Sequence, residues 1–245
     1  MATANGIHVS EDACTQCGLC VKSCPTKAME LISQPYTLDA LMNILRKDKD
    51  YYLQFNGGVT ASGGEALLHA SFVAELFQKL QEEGIHTALD TCGNVPYSAF
   101  QQVLPYTDCI LYDLKVADPV LHRLHTGIDN ALILQNFHAL MAQLSQQEKP
   151  CTVWIRTPLI PGATDSQQNI RQIADILLPY CGKTVHRWEL CAFNNICEKK
   201  YRRLEKTWDY SGIPLLESAE AKQLEQIALE SIGSRIPVVL TGMLR

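Results

Sequence analysis

Residues 85–115 read IHTALDTCGNVPYSAFQQVLPYTDCILYDLK, and this stretch is the clearest guide to the fold. Residues 86–90 and 109–113 are short apolar runs of the kind that form buried strands, and residues 97–103 between them have helical spacing. A strand, a helix and a second strand in this order form a parallel βα unit. The stretch therefore predicts an α/β protein built on a parallel sheet.

The same alternation continues on both sides of this stretch. Further strands are predicted at 52–60, 151–159, 185–192 and 237–240, and apolar stripes predict helices around 38–45, 73–80, 130–144, 170–177 and 218–231. Parallel βα units close into a barrel or form an open, doubly wound sheet. No glycine-rich dinucleotide fingerprint opens the first unit, which favours a TIM-like barrel arrangement.

Composition limits the classes of partner. The chain has 245 residues with a net charge of −5, and no basic run that would favour nucleic acid or an anionic membrane surface. No stretch of 18 apolar residues or N-terminal leader is evident, so a cytoplasmic protein is expected. Ten cysteines in a cytoplasmic chain of this size favour a metal role over a disulfide framework.

Four of the cysteines are clustered, in residues 14–25, which read CTQCGLCVKSCP. The spacing C-x2-C-x2-C-x3-C-P is that of bacterial ferredoxins, which hold 4Fe–4S clusters. Three of the thiols can reach one cluster from a single loop, and the fourth ordinarily ligates the other cluster of a pair. Tetrahedral zinc is the alternative, but four cysteines this close before a proline favour iron–sulfur. The predicted metal ligands are Cys14, Cys17, Cys20 and Cys24.

This cysteine-rich segment predicts a division of the chain into two parts. Residues 1–34 are too few to bury much core and would be held together by the cluster, so they are predicted to form a small ferredoxin-like module. Residues 35–245 are predicted to form the larger α/β domain.

Polar residues follow successive predicted strands of this domain. The first strand ends in GGVTASGGE at 57–65, the second in DTCGN at 90–94 and the third in DLK at 113–115, while Arg156 lies late in the fourth. In a parallel βα barrel the carboxyl ends of the strands open onto one face, where working residues gather. Carboxylates and exposed backbone suit an amine, and Lys or Arg suits a carboxylate, so a zwitterionic ligand is predicted there.

Each of these groups also has a purely structural explanation. Ser62 and Glu65 have the spacing of a capping box before an apolar helix. Asp90 could cap a helix, and Asp113 with Lys115 could be a surface ion pair of little energetic weight. Four such groups at consecutive strand ends favour a functional site over coincidence.

Taken together, these motifs resemble a known family. Residues 57–65 resemble the glycine-rich motif that binds the amino group of S-adenosylmethionine in radical enzymes. With residues 90–93, 113–115 and 156–162 they make the chain similar to glycyl radical enzyme activating enzymes that carry a ferredoxin insert, of which pyruvate formate-lyase activase is the best-known member. The resemblance implies a partial βα barrel and an oxidoreductase in which a reduced 4Fe–4S cluster cleaves S-adenosylmethionine and a glycyl radical forms on a partner enzyme.

The resemblance also implies roles for individual residues. Gly63, Gly64 and Glu65 would hold the methionine amine, with Asp113 and Lys115 near the ligand. Asp90 and Asp113 would help to hold a monovalent cation, and Arg156 would complete the cofactor-binding set. The cysteine cluster would relay electrons from a flavodoxin or a ferredoxin, and no catalytic residue is assigned.

One departure from the family is serious. The cluster that cleaves S-adenosylmethionine is held by C-x3-C-x2-C, which the chain does not contain; Cys20 and Cys24 have the first spacing, but Lys27 stands where the third cysteine is needed. We therefore expect that the front portion and first βα unit are missing and that the chain alone is inactive. Two alternatives follow, a ferredoxin-type electron-transfer protein and a non-catalytic docking fragment.

Overall fold

The computed structural model describes residues 2–3, 6–7, 9–10, 12–31, 33–204 and 206–245. It contains two compact units, Met1–Leu41 and Met42–Arg245. The boundary between residues 34 and 35 drawn from the cysteine pattern falls inside the first unit, and it stays a prediction.

The first unit contains little regular structure. Strands β1 (Ala2–Thr3) and β2 (Gly6–Ile7) form an antiparallel pair, and the short helix α1 (Leu19–Lys22) lies within the cysteine segment. The loop before α1 places Gln16 at a φ of 55° and Gly18 at a φ of 71°. Two left-handed residues this close together turn the chain sharply around the cysteines.

The second unit is built on one six-stranded parallel sheet. Its strands are β3 (Gly58–Ala61), β4 (His86–Thr91), β5 (Cys109–Asp113), β6 (Thr152–Leu159), β7 (Val185–Ala192) and β8 (Val238–Thr241). The order across the sheet is the order along the chain, from β3 to β8. A doubly wound sheet reverses its order at a switch point, so this sheet is wound in one direction, as in a βα barrel. The predicted α/β class and parallel sheet are confirmed.

Helices connect the strands. They are α2 (Leu38–Leu45), α3 (Lys49–Gln54), α4 (Ala70–Glu82), α5 (Tyr97–Val103), α6 (Pro119–Thr126), α7 (Ala131–Leu144), α8 (Gln167–Leu177), α9 (Glu198–Arg203) and α10 (Ser218–Ser231). None of the helices in the described part of the chain combines the length and apolar character needed to cross a bilayer.

The two faces of the sheet differ in burial. On β6 the side chains of Val153, Ile155 and Leu159 are fully buried, whereas Trp154 and Arg156 are half-buried. Successive side chains of a strand point to opposite faces, and in a singly wound sheet the helices cover one of them. The other face, which carries the half-buried side chains, is available for a binding site.

The strand predicted at 52–60 is wrong in its first half. Helix α3 runs to Gln54, with Tyr51 and Phe55 stacked one turn apart at 6.0 Å, and β3 begins only at Gly58. A short apolar run has no clear period, so a strand and a helix cannot be told apart by pattern alone. Gly58 is needed where β3 starts, because a Cβ there would lie 2.0 Å from the carbonyl oxygen of His86.

Helix α6 has no counterpart among the predicted elements, and its first turn offers a test of local stability. The Asp118 carboxylate accepts hydrogen bonds from the backbone N–H groups of Val120 and Leu121, both at 2.9 Å. Asp118→Ala is expected to lower the free energy of unfolding by about 1 kcal/mol, the usual cost of losing an N-cap. Urea denaturation followed by circular dichroism measures this loss, and Asp118→Asn, which keeps the capping oxygen, is the control. Equal losses in both variants would contradict a capping role.

Candidate functional site

Asp90, the last residue but one of β4, joins the ends of three strands. Its Oδ2 accepts a hydrogen bond of 2.7 Å from the hydroxyl of Ser62, which follows β3. Both of its carboxylate oxygens lie 3.2 Å from Nη1 of Arg156 on β6. Because Ser62 and Arg156 are 94 positions apart in the sequence, only the parallel sheet brings these groups together.

The register of the sheet extends this cluster. Asp113 on β5 lies opposite Arg156 on β6, and Arg156 lies opposite Glu189 on β7. Lys115, just past the end of β5, donates to Oδ2 of Asp113 at 2.8 Å. Asp90, Asp113, Lys115 and Arg156, all predicted from the sequence, therefore lie on one edge of the sheet and are half-buried.

Asp113 is in a less favourable environment than a surface carboxylate. Burial raises its pKa above the ordinary value, and the negative charge of Asp90 adds to this effect. The Lys115 and Arg156 cations oppose the shift. Two carboxylates and two cations in this small volume form a polarised site rather than an isolated surface pair.

The Glu65 carboxylate accepts four hydrogen bonds from the protein, more than a capping box would provide. Its Oε1 accepts from the backbone N–H of Leu67 at 3.0 Å and from the Thr91 hydroxyl at 2.8 Å. Its Oε2 accepts from Cys92, through the backbone N–H at 2.9 Å and the thiol at 3.2 Å. Burial, with a contribution from Glu65, raises the pKa of the Cys92 thiol, which keeps it protonated and able to donate.

These contacts replace the capping box proposed for Ser62 and Glu65. Glu65 itself caps the short 3-10 helix Ala66–His69, while the Ser62 hydroxyl donates to Asp90. A carboxylate has about four acceptor positions, and here all four are occupied by the protein. Direct contact between this carboxylate and a ligand amine stays a prediction, and the four hydrogen bonds make it unfavourable.

Glu65→Gln is expected to lower the free energy of unfolding by about 2 kcal/mol, because the amide NH2 must face two donors that then lack an acceptor. Chemical denaturation monitored by tryptophan fluorescence measures the loss. Glu75→Gln, on the exposed side of α4, is the matched control and should be neutral. A neutral Glu65→Gln would show that these hydrogen bonds do not hold the two loops together.

Gly63 and Gly64 lie in the exposed loop between Ser62 and Glu65. Gly63 has a φ of 137°, in a region that L side chains rarely adopt. A Cβ at either position would meet no atom within 4 Å. Open space beside this bare backbone, next to Asp90 and Glu65, fits a ligand amine that hydrogen-bonds to backbone carbonyls.

Several residues that hold the site were missed by sequence reasoning. Three buried asparagines on or beside α7 and α8 bind backbone carbonyls of the loops that follow β4, β5 and β6. Asn136 donates to Gly93 and Val95, Asn130 to Val116 and Ala117, and Asn169 to Lys115 and Thr164. Only Asn136 has a sequence signal, and a weak one: it is an amide among mostly apolar residues of a helix.

Glu189 and Arg187 on β7 were missed as well. Glu189 pairs with Arg187 at 2.8 Å and lies 3.6 Å from Nε of Arg156. The strand VHRWELCA alternates polar and apolar residues like any half-buried strand, and so no motif marks these two charges.

The cysteine segment has the chemistry of an iron–sulfur ligand set. Cys14, Cys17 and Cys20 are exposed, and Cys24 is half-buried. A backbone hydrogen bond from Leu19 lowers the pKa of Cys17, and the Thr26 hydroxyl is the main cause that lowers the pKa of Cys24 to about 7. Lowered pKa values favour thiolates, the form that binds metals.

The coordination geometry itself is not formed by these thiols. Within the described ranges, no three His, Cys, Asp or Glu side chains are arranged to hold a metal ion. The donor set fits a 4Fe–4S cluster by its chemistry, and the assignment of the individual ligands stays a prediction.

Comparison with known proteins gives matches for the cysteine segment and for most of the chain. Residues 7–30 match the family model for a 4Fe–4S binding domain. The chain is 36% identical over 215 residues to the (2S)-3-sulfopropanediol dehydratase activating enzyme of Klebsiella oxytoca, covering 88% of this chain and 66% of that protein. It is 33% identical over 231 residues to the pyruvate formate-lyase 2-activating enzyme of Escherichia coli (strain K12), covering 93% and 76%.

A solved structure supports the fold. The crystal structure of a domain of a pyruvate-formate lyase-activating enzyme from Bacteroides vulgatus ATCC 8482 superposes with a TM-score of 0.60, covering 76% of this chain and 99% of that one at 24% identity. The one-directional parallel sheet is thus a shared architecture.

Proposed function

The chain belongs to the glycyl radical enzyme activating enzymes, a family of radical S-adenosylmethionine enzymes with 4Fe–4S cofactors, and we propose that its strand-end cluster is the S-adenosylmethionine site of such an activase. The observation that carries the proposal is the contact of Ser62, Asp90 and Arg156 across the ends of three strands. The chain spans about two thirds of the length of the first relative compared, 66%, so the activity of the whole protein is part of the proposal.

The binding mode follows from the charges of the cluster. The methionine amine, a cation with three donors, would bind backbone carbonyls at Gly63 and Gly64, where a Cβ would meet no atom within 4 Å. Arg156 and Lys115 would bind the carboxylate, with Asp90 and Asp113 holding these cations in place. Glu65 would keep the glycine loop in shape through its bonds to Thr91 and Cys92. Asp90 and Asp113 also remain the candidates for a monovalent-cation site beside the carboxylate.

A bound, reduced 4Fe–4S cluster supplies the electron that cleaves the sulfonium of S-adenosylmethionine in this family. The thiols of Cys14, Cys17, Cys20 and Cys24 are exposed or half-exposed, which suits exchange of electrons with a flavodoxin or ferredoxin. We propose such a carrier as electron donor and a glycyl radical enzyme as the protein substrate. None of the ten cysteines forms a disulfide bond, and we propose the cytoplasmic location expected from the sequence.

We expect residues 1–245 to bind S-adenosylmethionine but not to cleave it. The site that binds S-adenosylmethionine is assembled by the sheet, but the chain has no C-x3-C-x2-C motif to hold the cleaving cluster. We therefore expect the reconstituted protein to bind S-adenosylmethionine without turning it over.

Anaerobic reconstitution with iron and sulfide, followed by equilibrium dialysis with radiolabelled S-adenosylmethionine, tests binding. Chromatography for methionine and 5′-deoxyadenosine after reduction with dithionite tests cleavage, with the E. coli relative as the positive control. Absence of binding would contradict the proposed site and favour a ferredoxin-type carrier. Multiple turnovers would contradict the expected inactivity while supporting the activase assignment.

A further inference from the structure

Arg156 lies between two carboxylates that approach it from different strands. Asp90 on β4 contacts Nη1 at 3.2 Å, and Glu189 on β7 lies 3.6 Å from Nε. The Nε atom is buried and has no hydrogen-bond partner among the described residues. The guanidinium thus lies between two anions, Asp90 at Nη1 and Glu189 near Nε.

Glu189 is itself held rigidly. Its side chain is 12% exposed, and its Oε1 pairs with Nη2 of Arg187 at 2.8 Å. The Arg187 guanidinium lies over the ring of Trp154 with 4.4 Å between its Cζ and the ring centroid. A stacked arginine loses few further rotamers on pairing, so it fixes the position of the carboxylate it binds.

We propose that Glu189 is a positioning residue for S-adenosylmethionine binding: it holds the Nε side of Arg156 so that the guanidinium stays in place for the ligand carboxylate. Arg187, stacked on Trp154, fixes Glu189 in turn. This inference rests on the proposed function, because it assigns Glu189 a role in the same site.

A purely structural role makes a different prediction. If Glu189 only balanced the charge of Arg187, its loss would affect stability and would alter the affinity for every ligand equally. If it acts through Arg156, its loss affects only ligands that carry the carboxylate that Arg156 binds.

Glu189→Gln keeps the size of the side chain and removes its charge. We expect the Kd of S-adenosylmethionine to rise about tenfold, because Arg156 loses the anion beside Nε that keeps its guanidinium in place. The Kd of S-adenosylmethioninamine, the same sulfonium without the carboxylate, should change less than twofold. Isothermal titration calorimetry with both ligands measures the two constants. Equal losses for both ligands, or no loss for either, would overturn the proposal.

Glu83→Gln is the matched control, because Glu83 is also a partly buried carboxylate that pairs with two cations, Arg46 at 2.7 Å and Lys49 at 3.2 Å. It lies at the end of α4, before the start of β4. It should leave the Kd values of both ligands unchanged.

A double-mutant cycle with Arg156→Gln shows whether Glu189 acts through Arg156. In the Arg156→Gln background, Glu189→Gln is expected to cause no further loss of affinity for S-adenosylmethionine. Independent, additive losses would assign Glu189 a structural role only.

Two measurements separate failure of this inference from failure of folding or of the proposed function. If Glu189→Gln does not fold, Arg187→Lys replaces it in the test, because lysine keeps the charge but not the planar guanidinium that stacks on Trp154. This variant is expected to weaken binding of S-adenosylmethionine but not of S-adenosylmethioninamine. The Nε–H resonance of Arg156, identified by its loss in Arg156→Gln, should shift in Glu189→Gln without any ligand, and an unshifted resonance would overturn the inference. Wild-type protein that binds neither ligand would instead refute the proposed function, and the role of Glu189 with it.

Discussion

Arg156→Gln is expected to weaken S-adenosylmethionine binding at least about 100-fold, since removing one partner of a partly buried charge pair costs about 2–5 kcal/mol or more. Two effects add in the same direction. The ligand carboxylate loses a cationic donor, and Asp90 and Glu189 are left without the cation that lies between them. Their combined negative charge then repels the carboxylate that Arg156 attracts.

Equilibrium dialysis with radiolabelled S-adenosylmethionine measures the effect, and Arg171→Gln on the exposed side of α8 is the control. The control should bind like the wild type. Urea denaturation of both variants separates lost affinity from lost structure. An Arg156→Gln protein that is folded and binds within threefold of wild type would exclude Arg156 from the site.

Gly93→Ala is expected to lower the free energy of unfolding by about 3 kcal/mol or more, through backbone strain and a core clash together. Gly93 has a φ of 74°, and a Cβ there would lie 2.0 Å from the hydroxyl oxygen of Tyr112. Tyr112 is fully buried and donates to the carbonyl of Ile133 at 2.7 Å, so it cannot move away without leaving that carbonyl unpaired.

Gly127→Ala isolates the backbone part of this effect. Gly127 has a φ of 84°, but a Cβ there would meet no atom within 4 Å, so the strain of about 1 kcal/mol is expected alone. Urea denaturation of both variants gives the difference. Equal losses would mean that Tyr112 yields freely to the new methyl group. Because Gly93 follows Cys92, which binds Glu65, the Gly93 variant should also lose affinity for S-adenosylmethionine.

Much of the fold could be predicted because each element has its own local pattern. Strand β7 and helix α10 have the predicted bounds, 185–192 and 218–231, since each has an unambiguous period and clear ends. The run at 52–60 has neither, and there the turn at Asn56 and Gly57 decides where α3 ends and β3 begins.

The candidate site also contains residues that could be predicted from the sequence and residues that could not. Asp90, Asp113, Lys115 and Arg156 could be singled out because parallel strands place their carboxyl ends on one edge, whatever the details of packing. The family was also predicted from these motifs and the cysteine spacing, and the relatives confirm it.

The sequence by itself determined the α/β class, the iron–sulfur segment and the strand ends that carry the candidate site, because spacing along the chain is enough to encode each of them. The tertiary structure alone decided which charges meet. Glu189 reaches Arg156 through the register of β6 and β7, and Asn169 binds the carbonyls of Lys115 and Thr164 from a neighbouring helix. Most such contacts join residues tens of positions apart, and no local pattern records them.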